Sequence, residues 1–240
     1  MNKYKFFILM LPFLLICAGN VFAQSAGLNL TLGFPMNEFK DNVKRTGIGG
    51  SGQFLFWTPT EKYPYSFGIN LGFINYGSES RIEPFNDRIP DVVVDVDRTN
   101  NIVNFHFLGQ IIPPAGSIRP YLEVLVGGAY IYTETRINSR GVDEVASSVN
   151  FDDWTLNYGG GAGIQFQLPA LNNASPVISS VFIDLKVRYI NGLEAQYLKE
   201  GSVSVERGRA IYDVSKSRTD LLTVNIGAVV YFNNLFSDRE

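Results

Sequence analysis

Cysteine is nearly absent: 240 residues contain one, Cys17, and it stands inside an apolar N-terminal stretch. Histidine is as scarce, with His106 alone. If the N-terminal stretch is removed on export, no cysteine remains. That excludes disulfides, thiolate metal sites and thiol catalysis. Beyond this stretch no segment holds twenty apolar residues in a row, so no later transmembrane helix is expected. Helical periodicity is scarce as well. An excess of basic charge is also missing, since 20 Lys and Arg face 23 Asp and Glu, and the chain has no electrostatic footprint for nucleic acid.

The N-terminus itself is informative. A basic head, Lys3 and Lys5, precedes the apolar run Phe6 to Ala18, and Val21-Phe22-Ala23 offers the small-residue pattern of a signal-peptidase site. The run is short for a membrane anchor. Ile16 occupies the place where a lipoprotein signal wants a small residue, so Cys17 is not read as lipidated. Residues 1–23 are therefore expected to be a cleaved signal peptide, and 24–240 a single domain. Losing Lys3 and Lys5 leaves 18 basic against 23 acidic residues, a net of −5.

What fills the rest is alternation over about ten residues, the period of a strand with two unlike faces. In the last such segment Leu222, Val224, Ile226, Ala228, Val230 and Phe232 oppose Thr223, Asn225, Gly227, Val229 and Tyr231. In the seventh, Val181, Ile183, Leu185, Val187 and Tyr189 oppose Phe182, Asp184, Lys186 and Arg188. The sixth sets Leu156, Tyr158, Gly160, Ala162, Ile164, Phe166 and Leu168 against Asn157, Gly159, Gly161, Gly163, Gln165 and Gln167. The fifth sets Leu122, Val124, Val126, Gly128, Tyr130 and Tyr132 against Tyr121, Glu123, Leu125, Gly127 and Ala129. The first, third and fourth, around Leu28 to Phe34, Tyr65 to Phe73 and Val103 to Ile111, repeat the pattern. The second, near Gly47 to Thr58, carries it most weakly.

In each segment one face is apolar and uncharged, and every mid-strand charge lies on the other. That other face is mostly Gly, Asn, Gln, Ser and Thr, not the Lys and Glu of a sheet face turned to water. Small neutral-polar side chains suit a crowded interior and the apolar face suits lipid. In hydrocarbon an unpaired strand edge costs several kcal/mol per group, so the sheet must close. The expected fold is all-β, an eight-stranded antiparallel transmembrane barrel. Its connections alternate between short (58–64, 113–119, 169–178) and long and charged (35–46, 77–99, 136–152, 191–218), as periplasmic turns and extracellular loops would. Within 77–99 and 202–214 the alternation continues, which predicts hairpins beyond the membrane. Trp57, Tyr63 and Tyr65 near the turns, and Tyr76, Tyr130, Tyr132, Trp154, Tyr158 and Tyr189 near the loops, suggest two aromatic girdles.

Signal peptide, eight alternating segments, alternating connections and a last segment ending in Tyr231-Phe232 resemble the small OmpA/OmpX-like outer-membrane barrels of Gram-negative bacteria. The style is similar to the barrel-domain proteins of Bacteroidota, PorT-like barrels among them. The resemblance implies an outer-membrane location, assembly by the barrel-assembly machinery, contact with outer-membrane lipid, and an unknown protein partner met through the extracellular loops. Two departures stand out. Asn233 to Glu240 follow the terminal aromatic, with Phe236 keeping the outward phase, and tethering to the cell wall by a peptidoglycan-binding domain after the barrel is not expected.

The inward charges Glu123, Asp184, Lys186 and Arg188 form the most informative constellation, with His106, Gln165 and Gln167 as interior polar groups. Unpaired charge in a narrow barrel is expensive, so these residues should pair or hold water. A static salt-bridged core is the plainer reading, and a gate that swaps partners is the functional one. His106 lacks a neighbouring nucleophile and orienting acid in the sequence pattern. The glycine run 158–163 lies within a strand and has no helix after it, so it is not a phosphate loop. The acidic stretch 77–99 lacks the regular spacing of a calcium loop. No catalytic residues, metal ligands or cofactors are therefore expected. The expected function is non-enzymatic, a structural or interaction role through the loops, as an accessory subunit of an outer-membrane complex in its narrower form. The alternative is minor passage of ions or small solutes through a charged, gated interior.

Overall fold

The computed structural model describes residues 25–57, 59–86, 89–139, 142–172, 177–206 and 209–232. The signal segment, its cleavage after Ala23 and the tail with Phe236 lie outside the described residues. The chain runs β1 (Ser25–Pro35), a one-and-a-half-turn helix α1 (Asn37–Asn42), β2 (Gly47–Leu55), β3 (Tyr65–Asn86), β4 (Ile89–Ile111), β5 (Ile118–Ser139), β6 (Val142–Gln167) and a 3₁₀ turn at Pro169–Leu171. It continues with β7 (Ile178–Gly192), four short strands β8 (Glu194–Tyr197), β9 (Val203–Glu206), β10 (Arg209–Tyr212) and β11 (Ser215–Arg218), and ends with β12 (Leu221–Phe232).

Eight strands close an antiparallel barrel in the order β1-β12-β7-β6-β5-β4-β3-β2. The seam joins first strand to last, from Ser25 opposite Tyr231 to Pro35 opposite Leu221. Every sequential pair is a neighbour, and closure leaves no strand edge within the barrel wall.

The faces fall as the alternation predicts. Leu28, Leu156, Val187 and Val224 point outward at 75%, 68%, 45% and 40% exposure, while Asp184 and Gln165 are fully buried inside. A continuous apolar surface of this kind is far larger than a water-soluble monomer normally exposes. Trp57, Tyr63 and Tyr65 lie exposed at the turn end, and Trp154 and Tyr158 toward the opposite end, where Trp154 packs 4.7 Å from Tyr130. Tyr76 departs from the expected girdle. It shares the phase of Ser66, Asn70 and Ile74, so its ring points into the barrel and is buried.

Segments 77–99 and 136–152, read as charged loops, are largely strand. β3 pairs β4 out to Asn86 opposite Ile89, and β5 pairs β6 out to Ser139 opposite Val142. With β4 also paired to β5 as far as Val94 opposite Ser139, the four strands extend well past the barrel as one sheet. They are 22 to 26 residues long, where crossing hydrocarbon takes only about 9–11. β2 and β7 stop short, pairing no further than Ile48 opposite Asn75 and Asn157 opposite Gly192, so this outer sheet projects from one side of the mouth. The hairpin expected within 202–214 is the pair β9–β10.

Candidate functional site: the braced interior and its capped mouth

Strand register sets the interior. Glu123 of β5, Gly161 of β6 and Arg188 of β7 lie side by side in one row across three strands. A side chain on the middle residue would separate the outer two. A Cβ on Gly161 would meet Arg188 Cγ at 3.0 Å and Glu123 Oε1 at 3.1 Å. With glycine there, Arg188 reaches over the strand. Its Nε donates to Glu123 Oε1 at 2.5 Å, Nη2 to Oε2 at 3.2 Å and Nη1 to Asn70 Oδ1 at 2.9 Å. Gln110 Nε2 donates to Glu123 Oε2 at 3.0 Å. The pair is bidentate, the arrangement in which guanidinium and carboxylate bind best.

The next row repeats the device. Gly163 lies between Tyr121 and Lys186, and the Tyr121 ring lies over it. The phenol donates to Asp184 Oδ1 at 2.7 Å, and Lys186 Nζ lies 2.9 Å from Asp184 Oδ2 and donates to Gln53 Oε1 at 2.6 Å. Gln165, one row further, accepts from Tyr231 at 3.0 Å, while Arg119 stacks on Phe182 at 4.5 Å. Two cations and two anions thus balance in the middle of the barrel, each pair hydrogen-bonded to neutral neighbours. In a low dielectric a buried pair persists only on those terms.

The remaining predicted polar residues sit apart from this brace. His106 shares its Nε2 with Asn157 Oδ1 at 2.9 Å, and Asn157 in turn donates to Asn104 at 3.2 Å. Gln167 is half-buried at the turn end, where it donates to Asn172 at 3.3 Å. Among the described residues no group of three His, Cys, Asp or Glu is placed to hold a metal ion. Leu55, Leu108 and Leu125 form one apolar cluster inside the barrel, and Phe182, Val229 and Tyr231 another.

The other end is capped by a feature that patterning by strands misses. Helix α1 lies within the segment read as a loop, and its Phe39 is fully buried between Tyr76 and Tyr197, with ring centroids 5.7 and 5.1 Å away. Ile74, Ile102, Ile131, Ile190 and Leu221 complete this apolar plug. The buried Asp220 pins the helix. It accepts from Asn37 Nδ2 at 2.8 Å and from the Gly192 amide at 3.1 Å, and its carbonyl accepts from the Met36 amide at 2.9 Å. Asn37 is in the left-handed region (φ 49°), which an asparagine tolerates better than most side chains. The spacing Met36, Phe39, Val43 was the available sequence signal, three apolar residues at helical intervals in an otherwise polar stretch.

The long segment after β7 folds back over the inner side of the projecting sheet. Glu200 accepts from the Ser78 amide at 2.9 Å and from Arg45 Nη1 at 2.8 Å, and the Gly201 amide donates to Glu79 at 3.1 Å. The Ser78 amide and, after it, the Arg45 guanidinium hold the Glu200 carboxyl below its ordinary range. A carboxylate with a depressed folded-state pKa stabilises above its unfolded pKa, and that contribution is lost as pH falls through the folded value. Protection of the Ser78 amide, measured as its exchange relative to the intrinsic rate at the same pH, is therefore expected to fall on acidification through and below the ordinary carboxylate range. Protection at barrel amides such as Val187 should not change there. Equal protection of Ser78 on both sides of that range would show that Glu200 is not the clamp.

No protein-family model matches the chain, and no curated protein matches it in sequence. Among solved structures it is similar to a major outer-membrane protein of Thermus thermophilus, at 11% identity over 87% of this chain and 99% of that one, with a TM-score of 0.44. It is also similar to Neisserial surface protein A, at 11% identity over 87% and 96% (TM-score 0.37). A third is Ail, the attachment invasion locus protein of Yersinia pestis, solved with the heparin analogue sucrose octasulfate, at 16% identity over 86% and 94% (TM-score 0.29). At such identities the function has to be argued from this chain's own residues.

Proposed function

We propose that this protein is a non-enzymatic outer-membrane barrel whose closed body anchors a projecting sheet outside the cell, where that sheet meets a partner. The observation that carries the reading is the division of labour along β3 to β6. Their lower halves belong to a wall that is apolar outside and braced inside, and their upper halves leave it as a four-stranded sheet. An apolar belt over closed strands is the solution that hydrocarbon imposes on β structure. A brace and a plug fill the lumen, so the interior supplies rigidity, and chemistry with the outside falls to the projection. Past Asn75, β3 has no strand neighbour on the β2 side among the described residues, and beyond Ser78, whose amide and carbonyl are taken by Glu200 and Arg45, that edge is left for strand addition by a partner. Export by a cleaved signal, folding by the barrel-assembly machinery and membership of a Bacteroidota outer-membrane complex belong to the same reading. They rest on the N-terminal pattern and the resemblance described above.

The absence of cysteine after Cys17 makes the test clean. Ser80→Cys on the projecting sheet and Glu61→Cys in a short turn would each be the only thiol of the mature chain. On intact cells a membrane-impermeant maleimide is expected to label Ser80→Cys and to reach Glu61→Cys only after the outer membrane is opened. The unmodified protein in planar bilayers is expected to be silent. Labelling of the turn on intact cells would invert the orientation, and discrete openings would favour the passage of ions.

A further inference from the structure

A cavity of about 470 Å³ opens at the mouth, between the link from α1 to β2, the start of the projecting sheet and the turn at 199–200. Its size is that of a small-molecule site, and its lining is rich in hydrogen-bond donors. Lys44, Arg45 and Lys199 border it with a single acid, Glu200. That acid is already held by Arg45 and by the Ser78 amide. Neither Lys44 nor Lys199 has an ion-pair partner among the described residues. The buried Asn100 contributes its amide: its Oδ1 accepts from Thr133, which turns the NH₂ group the other way. Gly77 makes room there, since a Cβ at that position would lie 2.8 Å from Asn100 Nδ2 and 3.3 Å from Glu200 Cγ. With Glu200 counted against the three cations, the cavity carries a net charge of about +2, and its two charged groups without an ion pair, Lys44 and Lys199, are donors.

We infer that this cavity binds a phosphate ester carried on a sugar. A tetrahedral oxyanion offers acceptors in several directions, matching donors that converge from separate elements, where a carboxylate would satisfy two. The volume exceeds the roughly 30 Å³ share of a water many times over, leaving room for the ring that carries the phosphate. The same chemistry occurs on a lipid headgroup and on a free sugar phosphate, and the inference does not depend on which way the mouth faces.

The test uses the full mature chain in nanodiscs of neutral phosphatidylcholine, titrated calorimetrically with glucose 6-phosphate. Saturable binding is expected, weakened at least about ten-fold by the double substitution Lys44→Gln with Lys199→Gln, a loss of about 1.4 kcal/mol. Lys62→Gln, in a turn at the far end, should bind as the unmodified chain does. Both cavity lysines lack described ion pairs, and an unchanged thermal transition would show that the variant is folded. A second arm dopes the discs with monophosphoryl lipid A and counts retained glycolipid by native mass spectrometry. Retention that the double substitution abolishes assigns the phosphate to a lipid, and retention it leaves alone, beside lost sugar-phosphate binding, assigns it to a soluble ligand. Absence of saturable binding to both probes overturns the inference, as does binding that the double substitution leaves unchanged.

Discussion

Arg188→Ala is expected to destabilise the barrel by about 3–5 kcal/mol, and Glu123→Ala by a similar amount, because each leaves the other partner charged, buried and uncompensated. Both side chains are almost wholly buried, and the neutral groups beside them do not replace a counter-charge. The second pair offers no relief, since Lys186 and Asp184 are committed to each other and to Gln53 and Tyr121. The double replacement Glu123→Gln with Arg188→Met should behave differently. It removes both charges, keeps an acceptor for Gln110 and fills much of the same volume, so it should return to within about 1 kcal/mol of the unmodified protein. Urea titration of the refolded barrel in lipid vesicles measures all of these. A double variant as unstable as the worse single one would mean that the ion pair itself, and not the isolated charge, dominates. The experiment also bears on function. A brace that can be replaced by neutral residues without loss of stability or of bilayer silence is structural.

What the sequence displayed and what it hid divide along physical lines. Outward-facing and interior-facing positions differ so sharply in chemistry that alternation alone placed Val187 and Val224 outside and Asp184, Lys186 and Arg188 inside. The pairing of Arg188 with Glu123 was foreseeable only as a need for compensation. Which cation takes which acid depends on register, and register is invisible until the strands are aligned. Tyr76 was misplaced because its height near the loops was weighed over its phase, and phase decides direction in a strand. The plug escaped for a different reason. Helix α1 is too short for a full amphipathic pattern, and its stability comes from Phe39 entering a pocket built by distant residues such as Tyr197 and Leu221. The outer sheet was half legible. Val92, Val94 and Val96 showed strand period, but charge in 136–152 masked the same period in β5 and β6.

The glycine run of β6 allows the interior to be tested without touching a charge. Gly163→Val is expected to cost about 3–5 kcal/mol, and Gly160→Val close to nothing, by the sum of overpacking and a lost buried hydrogen bond at the first position alone. The two residues differ only in phase. Gly160 faces outward, where a new Cβ meets nothing nearer than the Glu123 carbonyl oxygen at 3.4 Å, and an added apolar side chain joins the apolar outer surface of the barrel. Gly163 faces inward, where a Cβ would lie 2.7 Å from Tyr121 Cε1, a ring that cannot move aside while its hydroxyl stays on Asp184. Overpacking of this kind costs about 1–3 kcal/mol, and losing a hydrogen bond to a buried carboxylate adds about 1.5–3. Once Tyr121 leaves, Asp184 keeps only Lys186, so the substitution weakens the second ion pair as well. Urea titration beside Tyr121→Phe separates the parts, since that variant loses the hydroxyl and keeps the ring. Gly163→Val should be the more costly of the two by the overpacking contribution. If Gly160→Val proves as damaging as Gly163→Val, glycine is needed there for the backbone alone, and the row of small residues is not what allows Arg188 and Tyr121 to reach across β6.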